Sequence, residues 1–425
     1  MIKNPHAYTV PARDHDIATL PVAERNARHA AVRAGLRDAG FAGLIATGSN
    51  LTYLTNGIWG EQFGILTTDE NEEFEVVLPW RYLVDLDAKV VTDSQAWVKR
   101  VSSGRDPTPL AARIKQVGLE AQRVGFAGEL SHQTYAFLMN AMPGLQLVDA
   151  SAILNNIRTI KSEAEIALID RANQVFTAAV VAICERVRPG MSGRRAVEIG
   201  RQAMWDAGGD LDSTFTFNFG ADPAQNPLLA NILLNGPIKE GDVATLTAHA
   251  HYHHYAGHSD QEIVFGEPKA RHVKMFDAVK TVRDMVLKTV RNGTTNRELY
   301  NVYESACATV GYLSSEHAQM HQYGIDVPEF PGPAFRVKEE GNKTADKTAD
   351  KTAGNPAGKP AGKPAGKPLS GGGNYTLKTG MILSISPTLC DQVSGDLLLG
   401  GTSLAVTDDG FRELGARPVE LLVAG

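Results

Sequence analysis

Apolar side chains recur at three- and four-residue steps from Ile166 through Ile169, Ala172, Phe176, Val180 and Ile183 to Val187, which is the pattern of a helix with one buried face. Ser162 and Glu165 stand where a capping box needs them, and Pro189-Gly190 stops the segment, so a helix is predicted over 162–187. A second helix is predicted over 192–207, ending at Gly208-Gly209. The pattern then shortens to strands at 213–219, 242–249 and 252–265, followed by helices at 269–291 and 295–310 and a strand-rich stretch at 381–423. Strands, paired helices and strands again predict an α+β unit built on an antiparallel sheet.

Upstream, Ala31, Val32, Leu36 and Ala39 share one side of a helix predicted over 24–39, with arginines opposite and Gly40 as its stop. Strands at 64–67, 74–78, 124–127 and 146–148, with a helix at 131–140 between the last two, make this an α/β layer structure. The chain therefore divides into an α/β domain at 1–155 and an α+β domain at 156–425. Residues 340–373 join neither pattern: their Lys-Thr-Ala-Asp and Ala-Gly-Lys-Pro repeats lack large apolar side chains, which predicts a solvated surface loop.

The 425 residues are 43% hydrophobic, enough for two cores, and 42 Lys and Arg stand against 48 Asp and Glu. A net charge of −6 gives no footprint for nucleic acid. Uncharged apolar runs fall short of the roughly 18–20 residues of a membrane span. The N-terminus shows no export signal, and Cys184, Cys307 and Cys390 are too few and too scattered for a disulfide or metal pattern. The expected setting is the cytoplasm, with no membrane or nucleic-acid partner.

The order of motifs resembles the creatinase/aminopeptidase P family. Arg158-Thr-Ile-Lys161-Ser-Glu-Ala-Glu165 opens the long helix, Pro189-Gly190-Met191-Ser192 follows it, and Ile238-Lys-Glu-Gly241-Asp242 precedes a strand. His321-Gln-Tyr-Gly324-Ile-Asp-Val-Pro-Glu329, Leu377-Lys-Thr-Gly380-Met381 and Ala405-Val-Thr-Asp-Asp-Gly410 complete the series. The resemblance implies an α/β N-terminal domain, a pita-bread catalytic domain and a homodimer. It also implies five metal ligands, two Asp, one His and two Glu, at the positions of Thr247, Asp260, His321, Ser386 and Gly401. Only Asp260 and His321 keep a ligand side chain, so the usual two-cation site is not expected. Creatinase, a metal-free hydrolase of the family, uses a histidine where this chain carries Gln225.

Five histidines lie in the segment from Thr247 to Asp260. On an extended strand Thr247, His249, His251 and His253 share a face, and Asp260 and Glu262 share one on the return strand. Three readings follow. Imidazoles and carboxylates can do acid/base work without metal, because imidazole exchanges protons near neutral pH. They can instead bind one transition metal at His249, His251 and His253. Or the hairpin is structural, with His251, His254 and His258 solvated and Tyr252 and Tyr255 packing. The first reading is favoured: a metal-independent, cofactor-free hydrolase cleaving a C–N bond of a small polar metabolite. In it His321, Glu329, Asp260 and His249 are catalytic, with Glu329 as partner of His321 or as a second acid/base. Gln225, Thr247, Ser386, Arg336 and His253 line the substrate. A lyase and a catalytically degenerate binding protein are the alternatives.

Overall fold

The computed structural model describes residues 20–57, 62–78, 97–103, 107–220, 235–314, 319–331, 374–415 and 417–424. Gln225, Arg336 and the repeat segment 340–373 lie outside them. The first domain opens with α1 (Val22–Asp38), β1 (Gly43–Ala46) and α2 (Gly48–Thr55), then β2 (Phe63–Thr67), β3 (Glu75–Leu78) and β4 (Arg100–Ser103). It closes with α3 (Thr108–Gln116), β5 (Arg123–Ala127), α4 (His132–Ala141), β6 (Gln146–Asp149) and α5 (Ser151–Thr159). Its sheet runs β4-β3-β2-β1-β5-β6, antiparallel at β1–β2 and parallel at β1–β5. Separate apolar clusters cover the two faces, one around Leu36, Leu44 and Leu154, the other around Ile45, Ile114 and Leu138. Helix α5 spans 151–159 and shares a cluster with Val32 and Leu36 of α1, so the junction falls after Thr159 rather than at residue 155.

Ser162 caps α6 (Glu163–Arg186) in the capping box expected, with Glu165 returning a hydrogen bond to the Ser162 N–H. By length and composition α6 is apolar enough to cross a membrane, contrary to the estimate from uncharged runs. However, 78% of its most apolar window is buried, and it forms the spine of the second domain's core with α7 (Gly193–Asp206) beside it. Against α6 lies a sheet of β7 (Thr214–Gly220), β8 (Val243–Tyr252), β10 (Asp260–Phe265) and β18 (Leu422–Ala424), in the order β18-β10-β8-β7. A second core holds α8 (Ala270–Leu287) and α9 (Asn296–Val310). Beside it lie the small sheet β11 (Leu313–Ser314), β14 (Thr388–Cys390) and β15 (Leu397–Leu399), and a sheet ordered β12 (Gln319–Gln322), β13 (Ile382–Ser386), β16 (Thr402–Val406) and β17 (Phe411–Leu414).

The strand predicted over 252–265 is two strands. Tyr252 pairs with Tyr255 across a two-residue turn, His253-His254, before β9 (Tyr255–Gly257). Both turn residues are left-handed, with φ of 48° and 67°, and the Asp210 carboxylate accepts both their N–H groups, at 3.1 and 2.7 Å. Beyond the turn, Gly257 crosses α6 so closely that a Cβ there would lie 2.5 Å from the Ala172 carbonyl carbon and the Asn173 nitrogen. Both are backbone atoms of a core helix and have nowhere to go. Gly257→Ala is therefore expected to destabilise the protein by about 1–3 kcal/mol, read as a lower urea midpoint at unchanged slope.

Candidate active site

Thr247 stands directly opposite Asp260 in the antiparallel pairing of β8 with β10, so the two side chains leave the same face. Thr247 Oγ1 donates to Asp260 Oδ1 at 2.5 Å, and Ser386 Oγ, at the end of β13, donates to Oδ2. Gly401 lies against both: a Cβ there would sit 2.6 Å from Ser386 Oγ and from the Asp260 nitrogen. His321 on β12 faces Ser384, two residues from Ser386, so it projects toward the same side. All five inferred ligand positions thus meet around one carboxylate that is 1% exposed.

The imidazole of His258 fills the space between His249 and His321, with ring centroids 5.5 and 4.8 Å away. The reading of His258 as a solvated hairpin residue is corrected here: it is 2% exposed, and its Nδ1 lies 2.8 Å from the Ala248 carbonyl. A carbonyl only accepts, so the proton sits on Nδ1. The same logic fixes His321, whose Nδ1 is 3.1 Å from the Gln322 carbonyl, leaving Nε2 as its basic nitrogen. Burial first, and His258 second, push His321 and His249 each down to about 4, so both are neutral at pH 7. Ser384, which sequence reasoning passed over, carries a buried hydroxyl that makes no hydrogen bond on this face.

The other predicted residues part company. His253 belongs to the turn held by Asp210 and does not line this site. His251 Nδ1 lies 3.7 Å from Asp212 Oδ1. Among the described residues no group of three or more His, Cys, Asp or Glu side chains is arranged to hold a metal ion. Nor do the five family positions suit two divalent cations: Asp260 is their one carboxylate, both its oxygens are engaged by hydroxyls, and position 401 offers neither a donor nor room for one.

Glu329 is not the proton partner of His321. Lys161 Nζ donates to its Oε2 at 2.6 Å and Arg158 Nη2 to its Oε1, while Arg158 also pairs with Asp326 at 2.7 Å. Burial alone raises the Glu329 carboxyl, but the two cations outweigh it and bring it down to about 2. Its backbone N–H bonds the Gln322 carbonyl at 2.8 Å, so the clamp braces the segment just after His321. Glu262, which shares a face with Asp260, was also missed as a titrating group. It is fully buried, accepts from Thr245 Oγ1 at 2.9 Å and from the Leu399 N–H at 3.1 Å, and burial pushes its carboxyl up to about 8.

A pita-bread fold with a carboxylate and imidazoles at the metal-ligand positions defines the class. The metallopeptidase family M24 model matches residues 167–409, and the creatinase/prolidase N-terminal domain model matches residues 28–160. The chain belongs to metallopeptidase family M24. It is 25% identical over 220 residues to the Xaa-Pro dipeptidase of Pyrococcus horikoshii, a match spanning 51% of this chain and 60% of that one. It is 21% identical to the uncharacterized peptidase YqhT of Bacillus subtilis, over 89% of this chain and 95% of that one. The fold matches a solved Xaa-Pro dipeptidase from Bacillus anthracis with a TM-score of 0.72 at 19% identity, covering 94% of this chain and 99% of that one. The prolidase structure from Pyrococcus horikoshii gives 0.72 at 17% identity, over 93% and 100%.

Two outcomes follow from the ionisations. Glu329→Gln leaves the buried Lys161 without its ion-pair partner and Arg158 with Asp326 alone, so it is expected to cost about 3–5 kcal/mol in chemical denaturation. Glu262 binds its proton more tightly folded than unfolded, so the stability it contributes is full below pH 4.5 and is lost as pH rises to about 8. Glu262→Gln should remove that loss, and urea midpoints of variant and wild type should diverge between pH 5 and 8 in the variant's favour.

Proposed function

We propose that this chain hydrolyses a C–N bond in a small polar molecule through imidazole acid/base chemistry rather than through a pair of cations. The observation that carries the reading is the Asp260 carboxylate. It is buried, its oxygens are met by neutral hydroxyls, and no ion pair reaches it among the described residues. Arg417 Nη2 meets the Asp260 backbone carbonyl, at 2.9 Å, and not its carboxylate, so a bound substrate with a cationic nitrogen group would supply an ion-pair partner there. A monocation matches one carboxylate in charge; a divalent ion does not.

In this reading His321 Nε2 takes a proton from water while the water oxygen attacks the carbon of the scissile bond. The same proton then passes to the departing nitrogen as the C–N bond breaks, and His321 is neutral again. The ring is held for this by the Gln322 carbonyl, and the buried Ser384 hydroxyl, which has no hydrogen-bond partner among the described residues, would donate to the oxygen that gains charge. His249 and His258 wall the ring, while Thr247 and Ser386 orient Asp260. The relatives named as Xaa-Pro dipeptidases support C–N hydrolysis as the reaction type. Homodimeric assembly and a cytoplasmic site of action belong to the same proposal, on the family resemblance and the composition.

The test is a screen of Xaa-Pro dipeptides, amidines, guanidino compounds and amides of small amines, run with and without excess chelator. Turnover should persist in chelator, and His321→Ala should lower kcat by about 10²–10⁴-fold at unchanged fold. The acid limb of the rate profile should fall near pH 4, where the His321 ring gains its proton. Turnover that vanishes in chelator and returns with manganese or zinc would overturn the proposal, as would full activity in His321→Ala.

A further inference from the structure

The histidine array is assembled from two segments that are far apart in the chain, and each is fastened from the small domain. Arg28 of α1 is buried between the Tyr53 ring, 4.1 Å from its guanidinium carbon, and the Trp97 ring at 5.1 Å. Its Nη1 donates to the Tyr53 carbonyl at 2.8 Å. Its Nη2 crosses to the catalytic domain and donates to the Tyr255 hydroxyl at 3.0 Å. That hydroxyl donates in turn to Glu165 Oε1 at 2.9 Å, and Arg28 pairs with the same oxygen at 3.3 Å. Tyr255 lies three residues before His258 and five before Asp260. The second fastening is Arg158 of α5, which holds Glu329 and so the segment following His321. Arg158 is itself anchored in the small domain through Asn50, at 2.9 Å. The two fastened segments are joined where the Ala256 N–H bonds the Gly324 carbonyl at 2.6 Å.

A buried guanidinium is an expensive way to fill space, because burial works against the cation and apolar side chains would pack there more cheaply. Arg28 keeps its charge because Tyr255, Glu165 and Tyr53 surround it and outweigh that burial. An ionic strut of this kind fixes distance and direction, which apolar packing does not.

We infer that the small domain acts as a positioning clamp for the catalytic array: Arg28 through Tyr255, and Arg158 through Glu329, set the spacing of the segments that carry His258, Asp260 and His321. Arg28 and Tyr255 are positioning residues that touch no reacting atom. The inference extends the proposed function, but its test reads the array directly and needs no substrate. Amide hydrogen exchange is measured in Tyr255→Phe, which removes one hydroxyl and keeps the ring, and in Arg28→Gln. Exchange over residues 248–260 should rise about tenfold, while amides of the helices at 270–310 stay within about twofold of wild type. In the same samples the side-chain NMR resonances of the His258 and His321 rings, whose centroids lie 4.8 Å apart, should shift as the array loosens.

Exchange that rises evenly through the molecule, or not at all, overturns the clamp. So does faster exchange in the hairpin with unmoved His258 and His321 ring resonances, because the strut would then stiffen the hairpin without setting the array. Should Arg28→Gln fail to fold, the conservative Tyr255→Phe decides alone. Loss of the predicted turnover with all these results intact would count against the proposed reaction and leave the clamp standing.

Discussion

One buried carboxylate governs this site. Asp260 is held by Thr247 and Ser386, two hydroxyls that lower the cost of its charge without cancelling it. Around it the protein arranges neutral groups: His321 and His249 are driven below their ordinary range by burial, and Glu262 keeps its proton to about pH 8. The site therefore presents a carboxylate met by neutral hydroxyls, with no side-chain ion pair to it among the described residues. Its geometry follows from strand register, which sets Thr247 across from Asp260 and His321 across from Ser384.

The motif that opens the second domain shows how the fold serves that geometry. Four polar residues between Arg158 and Glu165 have structural tasks. Arg158 and Lys161 neutralise Glu329, Ser162 caps α6, and Glu165 both closes the capping box and receives Tyr255 and Arg28. A short stretch of chain thus starts a core helix, joins two domains and braces both sides of the histidine array.

What could be read from the residues was local or ordered along the chain. The periodicity of 162–187, its capping box and its stop were legible, and so were the two domains, apart from a junction set by the packing of α5 on α1. Thr247, Asp260, His321 and Ser386 were placed by the succession of motifs, and the structure brings them together. What escaped was long-range. Arg28 reaches Tyr255 across 227 residues, and nothing in the alternation of either segment announces it. Parity placed His253 with His249 because His253-His254 lacks the glycine or asparagine that usually marks a left-handed turn; Asp210, over forty residues away, stabilises it instead. Glu329 looked like a partner for His321 because it is close in sequence, yet its side chain turns to the two cations at the domain junction.

Gly401 carries a historical consequence. With backbone and hydroxyl atoms 2.6 Å from where a side chain would begin, a carboxylate cannot simply be reinstated there while Asp260 and Ser386 hold their present bond. A lineage descending from this arrangement would have to loosen the hydroxyl network before any substitution at that position brought an advantage. The crowding works as a ratchet: an acidic side chain gains room at this position only after Asp260 and Ser386 part.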